Sequence, residues 1–112
     1  MNILKKNDIT IIKPTTRRLD ATTGTEYAEK LHNLLKTGIN SILIDLSDIL
    51  YIDTRGFGFI IDAMKFLDGN GEISICCPDP DSRVSDFLRL TKMDRIFKIF
   101  PDPASAFAAK AA

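Results

Sequence analysis

The sequence predicts an α/β fold that opens with a hairpin and continues as alternating helices and strands. Three observations support this prediction: short β-prone runs, longer runs with a helical stripe of apolar residues, and Gly, Pro, Asn and Asp turn signals between them. Alternation of this kind forces parallel strands joined by right-handed crossovers, with helices packed over the sheet. We therefore expect a four- to five-stranded mixed sheet with parallel central strands and about four helices.

The first half of the chain contains a predicted hairpin, one helix and a buried strand. The hairpin turns at Asn7-Asp8, and the helix has one apolar face and stops at Gly38. The strand SILIDL is rich in Ile, which is typical of a strand covered on both faces. These elements span residues 3–4 and 9–13 for the hairpin, 25–36 for the helix and 41–46 for the strand.

The second half repeats the alternation of helix and strand. The apolar residues after Asp53 are too numerous for a strand, and their run ends at the turn signal DGNG. A terminal helix is predicted to begin after Asp102, which is a good N-cap, with Pro103 at its first position. The other predicted elements are a helix over residues 54–67, a strand over 72–77, a helix over 82–92 and a strand over 96–100.

The composition indicates one folded domain over residues 1–112, which we expect to be soluble and cytoplasmic. A chain of 112 residues and 12.5 kDa is large enough for a single core. Its 15 basic and 15 acidic residues cancel, and no helix or strand collects Lys and Arg, which argues against nucleic-acid binding. No apolar run reaches signal-peptide length or the roughly 20 residues of a membrane span, so membrane insertion is not expected.

The Cys and His residues do not predict a metal or cofactor site. Cys76 and Cys77 are adjacent, which is neither the spacing of metal ligands nor a normal disulfide framework. We interpret them as reduced strand residues. His32 lies at the edge of an apolar helical stripe with no second ligand, so we assign no chemistry to it. No metal and no other cofactor are predicted.

The stretch YIDTRGFG, residues 51–58, is the candidate site because it lies between a predicted buried strand and the following helix. In parallel sheets the working loops follow the carboxyl ends of strands. Asp53 or Thr54 can cap the first helical turn, and Gly56 and Gly58 leave the backbone there uncovered. A phosphate on Thr54 would bring about −1.5 to −2 charge units to a helix N-terminus, which favours negative charge.

The helix after this stretch has more apolar surface than one sheet face can cover. Its polar residues form one narrow strip, and apolar residues occupy most of the remaining circumference. Phe59, Ala63 and Phe66 lie on one flank, so they are candidates for an apolar patch that a partner covers. The alternative is that neighbouring helices bury this flank.

Several segments resemble the STAS domain, a family best known from bacterial anti-sigma-factor antagonists. The run LIDLSDILYIDTRGFGFIIDAMKFL, residues 43–67, resembles the central motif, in which an apolar strand leads to Asp-Ser-Ser-Gly or a close variant and a Gly-punctuated helix. RRLDA at residues 17–21 is similar to the family's Gly-x-Leu-Asp-Ala segment. LTKMDRIFKIFPD at residues 90–102 resembles the closing helix and strand, so the similarity extends over nearly the whole chain.

The resemblance implies a regulatory protein of bacterial signal transduction and transcription that binds an anti-sigma factor. In the family this partner is a kinase of the histidine-kinase-like ATPase fold. It phosphorylates the Ser or Thr after the motif's Asp, binding is lost, and a phosphatase restores it. By position, Thr54 would be the phosphoacceptor and Asp53 its neighbouring carboxylate. Arg55 and Gly56 would follow it, and Asp20 would lie in the adjacent loop.

Two positions depart from the family's pattern. Arg17 replaces the glycine before Leu-Asp, and Arg55 replaces the second small residue of the central motif. Arg55 would place a long cation beside the phosphosite, where it could clamp a phosphate through charge-assisted hydrogen bonds. The same residue is compatible with a different partner, or with a copy of the domain that is no longer switched.

A structural role is the alternative to a switch. Thr54 can be a simple helix cap that is never phosphorylated, and Asp20 can likewise cap the first helix with Thr22 and Thr23. The chain would then be a non-phosphorylated STAS subunit of a transport or signalling complex.

Enzymatic functions are disfavoured by the sequence. Asp45 at the end of SILIDL invites comparison with the phosphorylated aspartate of a receiver domain, but the N-terminal strands offer only Asp8 where a receiver needs a pair of acids for magnesium. A hydrolase would need a base for Thr54 and a nucleophile elbow, and the sequence supplies neither. We therefore predict that the protein is not an enzyme.

Overall fold

The computed structural model describes residues 1–111. In chain order the elements are β1 (Asn2–Lys6), β2 (Ile9–Lys13), β3 (Arg18–Leu19), α1 (Ala21–Leu35), β4 (Ser41–Asp45), β5 (Tyr51–Ile52), α2 (Thr54–Leu67), β6 (Glu72–Cys76), α3 (Arg83–Leu90), a 3-10 turn (Met93–Arg95), β7 (Lys98–Phe100) and α4 (Pro103–Ala111). The bounds of α2 are those that the sequence predicts. None of the helices in the described residues is long and apolar enough to cross a membrane.

A mixed sheet of five strands lies at the centre of the described residues, in the order β1-β2-β4-β6-β7. The first two strands are antiparallel, and the other neighbours are parallel. The helices α1 to α4 connect or follow these strands. The predicted fold class, a four- to five-stranded mixed sheet with about four helices, is therefore confirmed.

The opening hairpin is also confirmed. Asn7 and Asp8 both have positive φ angles, 52° and 65°, which is the backbone conformation of a two-residue type I′ turn. Asn and Asp tolerate this left-handed region better than other residues with a side chain. The turn sets the register in which Lys6 lies opposite Ile9.

The sheet is covered on both faces, and β4 at its centre is buried along its whole length. Ile42 and Ile44 point to the face that α1 and α2 cover, where the larger hydrophobic cluster lies. Leu43 points to the opposite face and packs in a smaller cluster with Ala106 of α4. Successive side chains of a strand face opposite ways, so a central strand between two helical layers has to be apolar throughout.

The packing of α1 against α2 forms much of the larger cluster. The rings of Tyr27 in α1 and Phe59 in α2 are both buried, with their centroids 5.7 Å apart. A tilted aromatic pair of this kind contributes about 0.5–1.5 kcal/mol beyond the apolar area that it buries. The two helices therefore pack as one layer.

Several predicted boundaries differ from the structure, and the two that follow differ for local reasons. α1 begins at Ala21 rather than at residue 25, because Asp20 caps it with a complete capping box. β7 begins at Lys98 rather than at residue 96, because the chain first makes the 3-10 turn, which it enters through Lys92 in the left-handed region. In both places a capped or left-handed turn residue decides where the element begins.

The strands β3 and β5 form a second, two-stranded parallel sheet that the sequence did not predict. Each is two residues long, which is too short to show any alternation. β3 leads through Asp20 into α1, and β5 leads through Asp53 into α2. The Asp53 N–H also donates to the Leu19 carbonyl oxygen at 3.1 Å. The pair of strands therefore holds the N-termini of α1 and α2 side by side.

Gly56 allows the first turn of α2 to touch the chain that enters α1. A Cβ atom on Gly56 would overlap the carbonyl group of Leu19 and would lie 2.6 Å from the Asp20 amide nitrogen. A Cβ atom on Gly24 in α1 would lie 2.9 Å from the Arg55 carbonyl oxygen. Because backbone atoms cannot move aside as a flexible side chain can, these positions require glycine.

We expect Gly56→Ala to lower the free energy of unfolding by roughly 3 kcal/mol, the upper range for overpacking, because the two backbones would have to separate. Gly58→Ala is the matched control. It lies in the same helix, and an added Cβ atom there would have nothing within 4 Å, so alanine should raise stability by about 0.5–1 kcal/mol. Urea unfolding of both variants measures the two effects. Equal stabilities would contradict the backbone contact.

Candidate functional site

Thr54 is the first residue of α2 and is exposed. Asp53 precedes it with extended backbone angles, φ −131° and ψ 178°, and its Oδ1 accepts a hydrogen bond from the Gly56 N–H at 2.8 Å. Asp53 is therefore the N-cap. The alternative in which Thr54 itself is the cap is wrong, because Thr54 already lies inside the helix.

Asp20 has the same role at the start of α1. Its Oδ1 accepts hydrogen bonds from the N–H groups of Thr22 at 3.1 Å and Thr23 at 3.2 Å, and its own N–H donates to Thr23 Oγ1 at 3.0 Å. The Thr23 N–H is the main reason that the pKa of Asp20 lies below its ordinary value. The predicted capping by Asp20 is thus confirmed.

The two caps lie in adjacent loops. Leu19 pairs with Ile52 in the parallel strands that precede them, and the first turn of α2 rests on the Leu19 and Asp20 backbone. The structure therefore places Asp20 in the loop beside the one that carries Thr54. Two helix N-termini, each with a partial positive charge, open toward the same edge.

A chain of side-chain contacts connects the two N-caps. Arg18 Nε lies 3.5 Å from Asp20 Oδ2, and the Arg18 guanidinium lies over the Tyr51 ring, 4.2 Å from its centroid. The Tyr51 hydroxyl then donates to Asp53 Oδ2 at 3.3 Å. Arg18 and Tyr51 were not predicted as site residues, and the available signal was their position shortly before the two capping aspartates.

The histidine of the sequence lies far from Thr54. His32 is the one histidine of the sequence, and its ring contacts Phe66 with a centroid distance of 5.1 Å. Phe66 is twelve residues after Thr54 in α2, which is roughly 18 Å at the helical rise of about 1.5 Å per residue. His32 is therefore not placed to deprotonate Thr54.

The predicted apolar patch is only partly exposed. Phe59 and Ala63 are 2% and 3% exposed, because α1 covers that flank of α2. Their assignment to an exposed partner-binding patch is wrong, and the alternative of burial by a neighbouring helix is right for both. Phe66 lies in the last turn and is 46% exposed, so it alone of the three can meet a partner without unfolding.

The remaining candidate residues have structural environments. Cys76 and Cys77 are free and buried, and burial raises the pKa of the Cys76 thiol to about 12. Asp45 is buried at the end of β4, where its Oδ1 accepts from the Ser47 N–H at 3.0 Å. Within residues 1–111, no group of three or more His, Cys, Asp or Glu side chains lies together as metal ligands would.

The fold and the site together define an α/β domain that presents a hydroxyl at a capped helix N-terminus. The sequence model of the STAS domain matches residues 1–106, and the chain belongs to the STAS domain family. A protein from Thermotoga neapolitana, provisionally named as an anti-sigma factor antagonist, is 36% identical over 66 residues. That alignment covers 59% of this chain and 58% of the relative, so it spans less than two thirds of the relative's length.

Solved structures of similar fold are also described as anti-sigma factor antagonists. One is the crystal structure of TM1081 from Thermotoga maritima, whose description as an anti-sigma factor antagonist is provisional. It superposes with a TM-score of 0.84 at 24% identity and covers 96% of this chain and 92% of TM1081. SpoIIAA in its unphosphorylated form gives a TM-score of 0.77 at 12% identity, covering 99% and 96%. At 24% and 12% identity, these two superpositions show a shared fold.

Asp20→Asn should reduce the dependence of stability on acid pH. The folded-state pKa of Asp20 is below the ordinary value of 3.8. Its charge therefore adds stability above that value, and the contribution is lost as the pH falls through the folded-state pKa. Asparagine keeps an acceptor oxygen but does not titrate.

The difference in the free energy of unfolding between wild type and Asp20→Asn should therefore shrink as the pH falls from neutral to well below the ordinary value of 3.8. Urea unfolding at a series of pH values measures it. Asp62→Asn, which changes an exposed carboxylate in the middle of α2, is the control. A difference that stays constant with pH would contradict the charged cap.

Proposed function

We propose that this protein is a partner-switching regulator, an anti-sigma factor antagonist whose binding is switched off by phosphorylation of Thr54. The observation that supports the proposal best is the position of Thr54, an exposed hydroxyl at the start of α2 beside a second capped helix N-terminus. The descriptions of the similar proteins as anti-sigma factor antagonists support the class of partner.

The proposed partner is an anti-sigma factor that is also a serine/threonine kinase of the histidine-kinase-like ATPase fold. The γ-phosphoryl group of ATP is transferred to Thr54 Oγ1, ADP leaves, and a base of the kinase takes the hydroxyl proton. We assign the base to the kinase because His32 lies near the other end of α2 and both oxygens of the Asp53 carboxylate already accept hydrogen bonds. A phosphatase reverses the modification by hydrolysis. The balance of 15 basic and 15 acidic residues gives no support to a nucleic-acid partner.

A phosphate on Thr54 changes the charge of a surface whose carboxylates are already engaged. Asp53 caps α2 and Asp20 caps α1, so both carboxylates are already hydrogen-bonded before a phosphate is added. The helix N-terminus stabilises the added charge in the free protein. In an interface built for a neutral hydroxyl the same charge has to be desolvated, and each ~1.4 kcal/mol of that cost weakens binding tenfold.

Arg55 decides how strongly the switch operates. It is exposed, and it follows Thr54 directly in the first turn of α2. As a phosphate ligand it would stabilise the modified state through charge-assisted hydrogen bonds. The family has a small residue at this position, so Arg55 can instead obstruct access of the kinase to Thr54. In that case it supports the second candidate function, a non-phosphorylated structural STAS subunit of a transport or signalling complex.

The switch is tested with three variants and the kinase encoded nearest to this protein's gene. Thr54→Ala should bind the kinase constitutively and resist phosphorylation, and Thr54→Asp should bind at least tenfold more weakly, the effect of ~1.4 kcal/mol. Arg55→Ser should be phosphorylated faster if the arginine obstructs the kinase. Calorimetric titration and phosphosite mapping by mass spectrometry measure these effects.

Thr22→Ala is the matched control for this experiment, because Thr22 is an exposed threonine in the first turn of α1. The Thr22→Ala variant should be phosphorylated on Thr54 and should bind the kinase as the wild type does. A phosphate found on another residue, or equal affinities of Thr54→Ala and Thr54→Asp for the kinase, would contradict the proposed switch. Either result would favour the second candidate function, a structural subunit.

Phe66 is proposed as the remaining apolar contact for the partner. Phe66→Asp should weaken binding to the same kinase while the far-UV spectrum stays unchanged, because the side chain is 46% exposed. Phe59→Asp should instead unfold the domain, because it would bury a carboxylate in the core. Leu90→Asp is the control for an exposed apolar residue outside α2, at 84% exposure. Equal affinities for Phe66→Asp and Leu90→Asp would exclude Phe66 from the interface.

A further inference from the structure

β1 is an edge strand with little cover. All five of its residues are exposed, including Ile3 at 49% and Leu4 at 59%. It pairs with β2 on one side, and in the described residues no strand pairs with its other side. An edge of this kind presents backbone N–H and C=O groups that another strand can pair with.

The hairpin turn determines which backbone groups point outward. In a two-residue hairpin the residues that flank the turn, here Lys6 and Ile9, exchange backbone hydrogen bonds. Hydrogen-bonded and non-hydrogen-bonded pairs then alternate along an antiparallel ladder. Ile3 and Lys5 are therefore the residues of β1 whose N–H and C=O groups point to the open edge.

We propose that β1 pairs with β1 of a second copy of this chain, antiparallel about a two-fold axis at Leu4, and so joins two sheets into one. In this register the outward N–H and C=O groups of Ile3 form hydrogen bonds with those of Lys5 in the second copy. By symmetry, Lys5 of the first copy pairs with Ile3 of the second copy in the same way. Leu4 lies opposite Leu4, and Asn2 lies opposite Lys6 of the second copy. Leu4 is then in a non-hydrogen-bonded pair, whose Cα atoms are about 4.5 Å apart.

Charge and pairing length select this register over its neighbours. A shift of two residues toward the turn would place Lys5 directly opposite Lys5, and like charges in that position are destabilising. A shift of two residues away from the turn would pair only Asn2, Ile3 and Leu4 with the same residues of the second copy. The register centred on Leu4 pairs all five residues and places both lysines opposite uncharged residues. The strand is thus self-complementary under a two-fold axis, which favours a second copy over an unrelated strand.

Cysteine cross-linking tests the register directly. Leu4→Cys should form a disulfide-linked dimer under mild oxidation, several-fold more than Lys6→Cys, which is on the same face and meets Asn2 of the second copy. An equimolar mixture of Asn2→Cys and Lys6→Cys should cross-link several-fold more than either variant alone. The two native cysteines are buried, so the wild-type protein measures the background level of cross-linking. All the substituted residues are exposed, so the fold should be retained.

Sedimentation velocity gives the independent measurement. The wild type should show a mass that rises with concentration, and Ile3→Pro should not. Proline at this position removes an outward N–H and leaves the hydrogen bonds to β2 in place. Equal cross-linking of Leu4→Cys and Lys6→Cys, or a monomeric wild type at every concentration, would overturn the proposal. Cross-linking that is equal for all pairs would indicate random collision, and the kinase-binding experiments above do not depend on the result.

Discussion

The backbone contact between Gly56 and the Leu19-Asp20 peptide is the constraint on which the candidate site depends. It places the first turn of α2 on the chain that enters α1, and the hydrogen bond from Asp53 to Leu19 fixes the same approach. Two helices that start from neighbouring parallel strands would otherwise be held apart by their side chains. The short strands β3 and β5, the two N-caps and the position of Thr54 all follow from this contact.

The charges of the site are divided between two tasks. The carboxylates of Asp20 and Asp53 accept hydrogen bonds from backbone N–H groups at the helix N-termini. The arginines face outward, and Arg18 is kept in place by Asp20 and the Tyr51 ring. Such exposed contacts are individually weak, since surface ion pairs contribute about 0–1 kcal/mol. Their effect is to orient the cation rather than to stabilise the fold.

The sequence predicted elements with a strong periodic pattern or a clear turn signal, which include α2 and the hairpin at Asn7 and Asp8. It predicted Asp53, Thr54 and Asp20 as neighbours through the STAS resemblance. It did not predict β3 and β5, because two residues carry no period, and so the contact of Arg18 with Tyr51 was missed. It also left open which face of α2 a neighbour covers, because an apolar flank is the same pattern whether α1 or a partner buries it.

The exposure of Arg17 and Arg55 has a consequence for how such domains diverge. Because backbone atoms form the frame of the site, the side chains at these two positions can change without disturbing the caps or the strands behind them. Partner choice can therefore drift after gene duplication while the scaffold stays constant. Under the proposed function, a cell that holds several related domains can keep their signalling routes separate by varying a few surface residues around one unchanged hydroxyl.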